Sequence, residues 1–344
     1  REQSAVAEAF APLLLSGAAL LWIVAAAGER LLSPGPAAAL GLVLGLGVGA
    51  HQTLVLVLPA LLLAGRGKKG SWPKALGWAA FGTALGFAVH LCIPLRALKS
   101  PPVDWGHATT LAAFWKLLLR RDYGTFALTV EGARDFGAME LISQSGRFIR
   151  ALINSFGPAG VVLAAVGALG WRRSGLTPRP GAAAAWILTA GPLFLFLGRP
   201  GFDAQTSGAL ERFYLLPMLG LVPFLASGLS LLGARVPAFA AFAAVRACVS
   251  MIPEALAASR REDYLSYDYG RAILRALPAK AILVMDGGDD TFYSLSFLTT
   301  AHGLRPDVEL RDRGGVGFPG GYGPDFRSLT KDAKDARRRE VESR

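Results

Sequence analysis

Long apolar stretches separated by short, mostly basic breaks fill the first three quarters of the chain. Residues 9–27 form one such run, closed by Gly28-Glu29-Arg30 and long enough to cross a hydrocarbon core of ~30 Å once. Residues 37–64 are apolar apart from His51-Gln52-Thr53. A single helix there would hold a His-Gln pair at mid-depth, which is costly unless it faces a cavity or a partner. Two short helices with their tip at His51, a hairpin that does not fully span, fit the pattern better. Further spans are predicted over 75–95, 151–171, 182–197, 213–232 and 236–258, with a kink at Gly157-Pro158. The total is about seven or eight membrane segments.

Between the span at 75–95 and the next, residues 90–123 change character. Ile93-Pro94-Leu95 ends an apolar helix and Arg96 follows at once. Pro101-Pro102 forbids helix, and Asp104-Trp105-Gly106 suits a turn. Residues 111–119 are amphipathic and close on Arg120, Arg121, Asp122 and Tyr123, so a loop folded back on a bilayer surface is expected. Residues 125–150 are mixed and charged, and read as one or two helices on the membrane surface.

After residue 258 the pattern becomes that of a small α/β domain. Residues 281–285 are a buried-strand run, 291–302 a helix and 307–310 a second strand, which makes one βαβ-like unit. Residues 314–323 are a glycine-rich loop and 331–344 a charged helix or tail. The expected organisation is a transmembrane domain over 1–258 with an outer loop at 96–150, followed by a soluble domain over 259–344.

Composition supports the membrane reading. Of 344 residues, 52% are hydrophobic and 18% charged, and the mean hydropathy is +0.40, outside the range of ordinary soluble domains. The net charge of +11 raises the question of nucleic acid, but the cations lie in short loops rather than on one polar face. Arg66, Lys68, Lys69 and Lys74 in one loop, and Arg172, Arg173 and Arg179 in another, mark the cytoplasmic side. The 96–150 loop and the C-terminal domain then lie outside. Cys92 and Cys248 both sit in apolar runs and imply no disulfide framework.

Few residues suggest chemistry directly. HExxH, GxSxG and P-loop motifs are absent from the sequence. Asp286, Asp289 and Asp290 offer carboxylates to a divalent cation, although Asp290 equally suits the N-cap of the following helix. No other metal site is indicated. Arg96, Arg120, Arg121 and Arg212 all fall at the predicted outer boundary, where guanidinium groups seat a phosphate or pyrophosphate well. Boundary arginines also snorkel to lipid headgroups, so both readings stand.

The strings QSAVAEAF (3–10), GLGVGAHQTLVLVLP (45–59), IPLRA (93–97), PPVDWG (101–106) and RRDY (120–123) carry a resemblance. So do ERFY (211–214), ILRALP (273–278), DGGDDTF (286–292) and Arg305-Pro306-Asp307. In this order the chain resembles a bacterial family of polytopic membrane proteins of unknown function that look like protein O-mannosyltransferases of the GT-C glycosyltransferase class. The resemblance implies a bacterial inner-membrane transferase that uses a polyprenyl-phosphate sugar donor and an acceptor hydroxyl on the extracytoplasmic face. Arg96, Arg212, Arg120 and Arg121 would hold the donor phosphate. His51, Gln52, Trp105, Tyr123 and Tyr214 would line the substrate cavity, with Trp105 and Tyr123 either stacking on a sugar or anchoring the loop. The catalytic acid of that family lies in a first outer loop before the position of Arg1, so a chain truncated at its N-terminus is expected, with Glu8 in a supporting role. A transporter or flippase-like carrier using the His51 tip, or a non-catalytic scaffold, is the alternative.

Overall fold

The computed structural model describes residues 9–121, 137–174, 179–200, 210–233, 262–286 and 289–343, except 316, 319, 320, 324, 327 and 328, with isolated positions between 238 and 256. The chain divides into two compact units, Arg1–His90 with Tyr123–Ser259, and Leu91–Asp122 with Arg260–Arg344.

The first unit is helical. Helix α1 (Phe10–Ala27) leads through a tight turn to α2 (Pro34–Ala50). A 3-10 segment (Gln52–Val57) then opens α3 (Leu58–Gly65), and α4 (Trp72–Ala97) follows. After α5 (Leu111–Leu118), which belongs to the second unit, come α6 (Ala138–Leu169) and α7 (Pro180–Gly198). Helices α8 (Leu210–Leu219) and α9 (Val222–Gly233) meet at a 46° bend. Among the described residues four helices are long and apolar enough to cross a membrane, five if the bent pair is one span. That is the architecture of a polytopic helical membrane protein. The larger predicted count includes 236–258, almost all of which lies outside the described residues.

Backbone-to-backbone contact at glycines sets how these helices pack. A Cβ at Gly41 would overlap the Ala79 carbonyl, and one at Gly82 the Ala38 carbonyl, at 2.7 Å from Ala79 C and 2.8 Å from Leu42 N respectively. Gly45 faces Thr83 and Phe87 in the same way, and Gly86 faces Leu42 and Leu46. Both helices therefore advance together, so α2 and α4 are parallel. The chain between them must return, and it does: Leu54 packs by Gly47, while Gly65 at the far end reaches Leu32 and Trp72. The hairpin with its tip at His51 is thus present. At ~1.5 Å per residue the 17-residue α2 is about 25 Å long, short of a full ~30 Å core. A second glycine seam joins α6 to α9, where a Cβ at Gly167 would stand 2.6 Å from Gly228 N. The Ser227 hydroxyl donates to Gly167 O at 2.9 Å beside it.

The expected kink is found inside α6, where Gly157 takes φ 69° and ψ 165° just before Pro158. Residues 138–150, in the stretch expected on the membrane surface, are helical. Residues from Ala138 onward already belong to α6, whose Glu140 carboxylate caps the Gly137 N–H at 2.9 Å. The charges there masked an inward row, since Gln144 and Phe148 are buried, with Leu141 and Leu152 packed in the same cluster as Phe148.

The second unit contains α10 (Leu265–Ala276), β1 (Ile282–Met285), α11 (Asp289–Ser296) continuing through a π-helical turn to Ala301, β2 (Glu309–Asp312) and α12 (Lys331–Glu342). The strands pair in parallel, Ile282 opposite Glu309 through Met285 opposite Asp312, as a helical crossover requires. Leu274, Met285, Leu295, Leu298, Val308 and Leu310 form its core. Residues 91–122, expected to start the outer loop of the transmembrane domain, cluster with this unit instead. Asp104 N–H donates to Gly317 O at 3.0 Å, and the buried Asp104 carboxylate pairs with His107 Nδ1 at 2.5 Å.

Arg305 clamps this unit together. Its guanidinium donates to the carbonyls of Leu274, Leu277 and Pro278 at 2.5–3.0 Å, which closes the C-terminus of α10. It also grips both Asp307 oxygens, at 2.8 and 2.9 Å, while Asp307 accepts from Lys280 N–H at 2.9 Å. The ILRALP and RPD strings are therefore one structural device. On α12, Arg338 donates to Arg313 O and Glu342 accepts from the Tyr322 hydroxyl, whose pKa burial, and then that bond, push up to about 12.

Two predictions follow from these contacts. Gly82→Leu forces α2 and α4 apart and is expected to cost ~3 kcal/mol or more, read as a fall in melting temperature in detergent. Gly77→Leu, on the same helix with open space around it, leaves the melting temperature unchanged. In the second unit, Arg305 and the Lys280 N–H hold the Asp307 carboxyl below the usual carboxylate range. Such a group stabilises the fold above its unfolded pKa of ~3.9 and loses that contribution as pH falls further. Unfolding of the second unit, followed by near-UV circular dichroism in acid, is expected to show this loss, and Asp307→Asn to flatten it.

Candidate functional site

The hairpin tip is where polar groups and aromatic rings meet in the first unit. His51 breaks the helix with an extended backbone (φ −158°, ψ 127°). Its Nδ1 lies 3.3 Å from the Thr53 backbone N–H and 2.8 Å from the Thr53 hydroxyl. A backbone N–H can only donate, so Nδ1 accepts and the neutral ring carries its proton on Nε2. Phe10 from α1 and Phe213 from α8 sit at 5.1 and 5.3 Å on either contact of the imidazole, and at 5.1 Å from each other. Phe194 stacks on Phe213 at 4.9 Å. The tip is half-buried, not sealed.

The surrounding helices fix this cluster by polar contacts to the hairpin and to α8. The Thr189 hydroxyl lies 2.6 Å from Leu56 O and 2.8 Å from Ala185 O, tying α7 to the returning leg. Trp186 Nε1 donates to Leu216 O at 2.8 Å, tying α7 to α8. In lipid such interhelical bonds average ~0.6 kcal/mol, so they set register more than they supply stability. The opposite end of the hairpin is basic. There Lys68 pairs with Glu29 at 2.7 Å, and Gly67 lies against the Arg179 guanidinium.

The sequence candidates divide between the units. His51, Gln52, Arg212 and Tyr214 are in the first, and Arg96, Trp105, Arg120 and Arg121 in the second. Glu8 and Tyr123 lie outside the described residues. The ERFY run sends neighbouring side chains to different places. Phe213 meets His51, whereas Tyr214 is buried against Phe148, at 5.3 Å, with Leu195, Leu210 and Met218. Tyr214 is thus buried in a hydrophobic cluster of the first unit. Arg212 is half-buried next to Phe213.

In the second unit Trp105 packs edge-on against Phe292 at 5.6 Å, and Phe292 in turn against Phe318 at 5.4 Å. The aromatic of the PPVDWG turn is used as an anchor. Arg96 and Arg121 are exposed and Arg120 half-buried. Asp286 forms an ion pair with Arg313 at 2.6 Å, and among the described residues no group of three or more His, Cys, Asp or Glu side chains converges as a metal site would need. The side chains of Asp289 and Asp290 are outside the described residues. Sequence reasoning missed Phe10, Thr53, Phe213 and Thr189. Only Thr53, a hydroxyl two residues past a helix-breaking histidine, left a local signal.

Over 297 residues, 76% of its length, the chain is 24% identical to a Dictyostelium discoideum protein described as Protein O-mannosyl-transferase tmem260. The chain is similar to an O-mannosyl-transferase. It spans 35% of that relative's length. No protein-family model and no solved structure matches the chain.

If Tyr214 is core, Tyr214→Ala costs ~3–5 kcal/mol in detergent unfolding, whereas Tyr214→Phe keeps the fold and whatever activity the parent protein shows. A cavity-lining role predicts the reverse ranking, with activity lost in Tyr214→Phe and stability spared.

Proposed function

We infer that this chain is the membrane part and an attached α/β unit of a glycosyltransferase of the O-mannosyl-transferase kind. The observation that carries the reading is the similarity to the Dictyostelium protein across three quarters of the chain, held by a chain with several membrane-crossing helices. The reaction would join an acceptor hydroxyl to the anomeric carbon of a polyprenyl-phosphate sugar, with the lipid phosphate leaving. A general base outside the described residues would take the hydroxyl proton. Arginines at the outer boundary would stabilise the charge that grows on the departing phosphate. Arg212, which precedes Phe213 of the His51 cluster in the chain, is proposed for that role. His51 and Gln52 would line the sugar or phosphate seat, and the face concerned would be extracytoplasmic, opposite the basic loops. The GT-C fold class and the larger number of spans belong to the same proposal.

A carrier is less well supported. It would use the half-buried polar tip at His51, but the similarity is to a protein named as a transferase.

The test uses membranes containing the full gene product, a radiolabelled polyprenyl-phosphate mannose and a set of hydroxyl-bearing peptides. Label transfer is expected. Arg212→Ala is expected to lower kcat by ~100-fold or more at normal insertion. Transfer unaffected by a substitution removes that arginine from the mechanism, and no transfer to any acceptor contradicts the reading.

A further inference from the structure

In the second unit the stretch that leaves α4 offers an apolar surface beside a strong positive charge. Helix α4 has 26 residues, about 39 Å at ~1.5 Å per residue, which exceeds a ~30 Å core. That length leaves room for its last turn, which carries Arg96, to stand at headgroup level. Leu95 and Leu98 are 63% and 66% exposed there. On α5, Thr110 caps the helix by accepting from Ala113 N–H at 3.1 Å, and Phe114 is buried. Leu111 and Trp115, one turn apart, are left 73% and 42% exposed.

Charge selects the occupant. Residues 91–121 hold five Lys or Arg, namely Arg96, Lys99, Lys116, Arg120 and Arg121, and one acid, Asp104. Asp104 is buried and paired with His107. Exposed leucine and tryptophan edged by cations, continuous with a membrane-crossing helix, complement a bilayer surface whose headgroups are anionic. A protein partner would have no such continuity with α4.

We propose that α5 and the end of α4 form a lipid-docking surface of the second unit. Leu111 and Trp115 enter the boundary between headgroups and acyl chains, and Lys116, Arg120 and Arg121 bind the phosphates of anionic lipids. On this assignment Arg120 and Arg121 serve the leaflet rather than a sugar donor. The surface stands independently of the transferase reading, because it needs no sugar or acceptor.

The test places an environment-sensitive fluorophore at Leu111→Cys or Trp115→Cys, in a Cys92→Ser, Cys248→Ser background of the full protein in nanodiscs. Lys331→Cys on α12, exposed and surrounded by charge, is the control. Quenching by lipids carrying a spin label near the headgroup is expected at 111 and 115 and not at 331. In phosphatidylcholine discs with a minority of phosphatidylglycerol, energy transfer to a labelled phosphatidylglycerol should exceed that to labelled phosphatidylcholine. Each cation at a membrane surface is worth about fivefold, so Arg120→Glu with Arg121→Glu should abolish the excess while quenching persists. Labels at 111 and 115 that lipid quenchers do not reach overturn the proposal. So does quenching without any preference for the anionic lipid.

Discussion

Helices in a bilayer gain almost nothing by hiding apolar side chains from lipid, so close backbone approach has to hold them together. In this chain that approach is the seam between α2 and α4, where Gly41, Gly45, Gly82 and Gly86 let each helix lie on the carbonyls of the other. Any side chain larger than hydrogen there would occupy space already filled by backbone. The seam makes the two helices parallel, and parallel neighbours in sequence require a returning leg between them. The hairpin and its polar tip are consequences of that requirement.

The tip is where the rest of the first unit gains its meaning. The return leg starts at His51, whose ring is fixed by Thr53 below and by Phe10 and Phe213 beside it. Phe213 is one residue from Arg212, so the packing that shapes the hairpin also brings an arginine-bearing helix start to the histidine. The basic loops lie at the other end of the same legs, with Lys68 on Glu29. One end of the unit is thus charged and loop-like, and the other aromatic with a few polar groups. The second unit is held by a different device, a single arginine that closes a helix and grips an aspartate.

Much of this was legible in the sequence where the signal is local. The break at His51, the kink at Gly157-Pro158 and the βαβ order of the C-terminal residues each follow from a few neighbouring residues. Pairings over distance were not legible. Nothing near Gly41 names Ala79 as its neighbour, and nothing in PPVDWG shows that Asp104 would bond Gly317. After residue 137 Glu140, Arg147 and Arg150 dominate the composition, and the burial of Gln144 and Phe148 between them is not legible in it. The resemblance gives Tyr214 to a substrate cavity, and its ring is buried with Phe148 and Leu195. A one-residue difference in helical position separates it from Phe213, and no pattern in four letters resolves that.

The account depends on the aromatic, histidine-tipped end of the hairpin being where a lipid-borne anion sits. Photo-crosslinking with a diazirine-bearing polyprenyl-phosphate sugar, followed by peptide mapping, examines that most directly. The account predicts labelled peptides that contain His51–Thr53 and Arg212-Phe213, competed away by the unlabelled donor. Competable labelling confined to the basic end, around Arg66–Lys69 and Arg179, would contradict it.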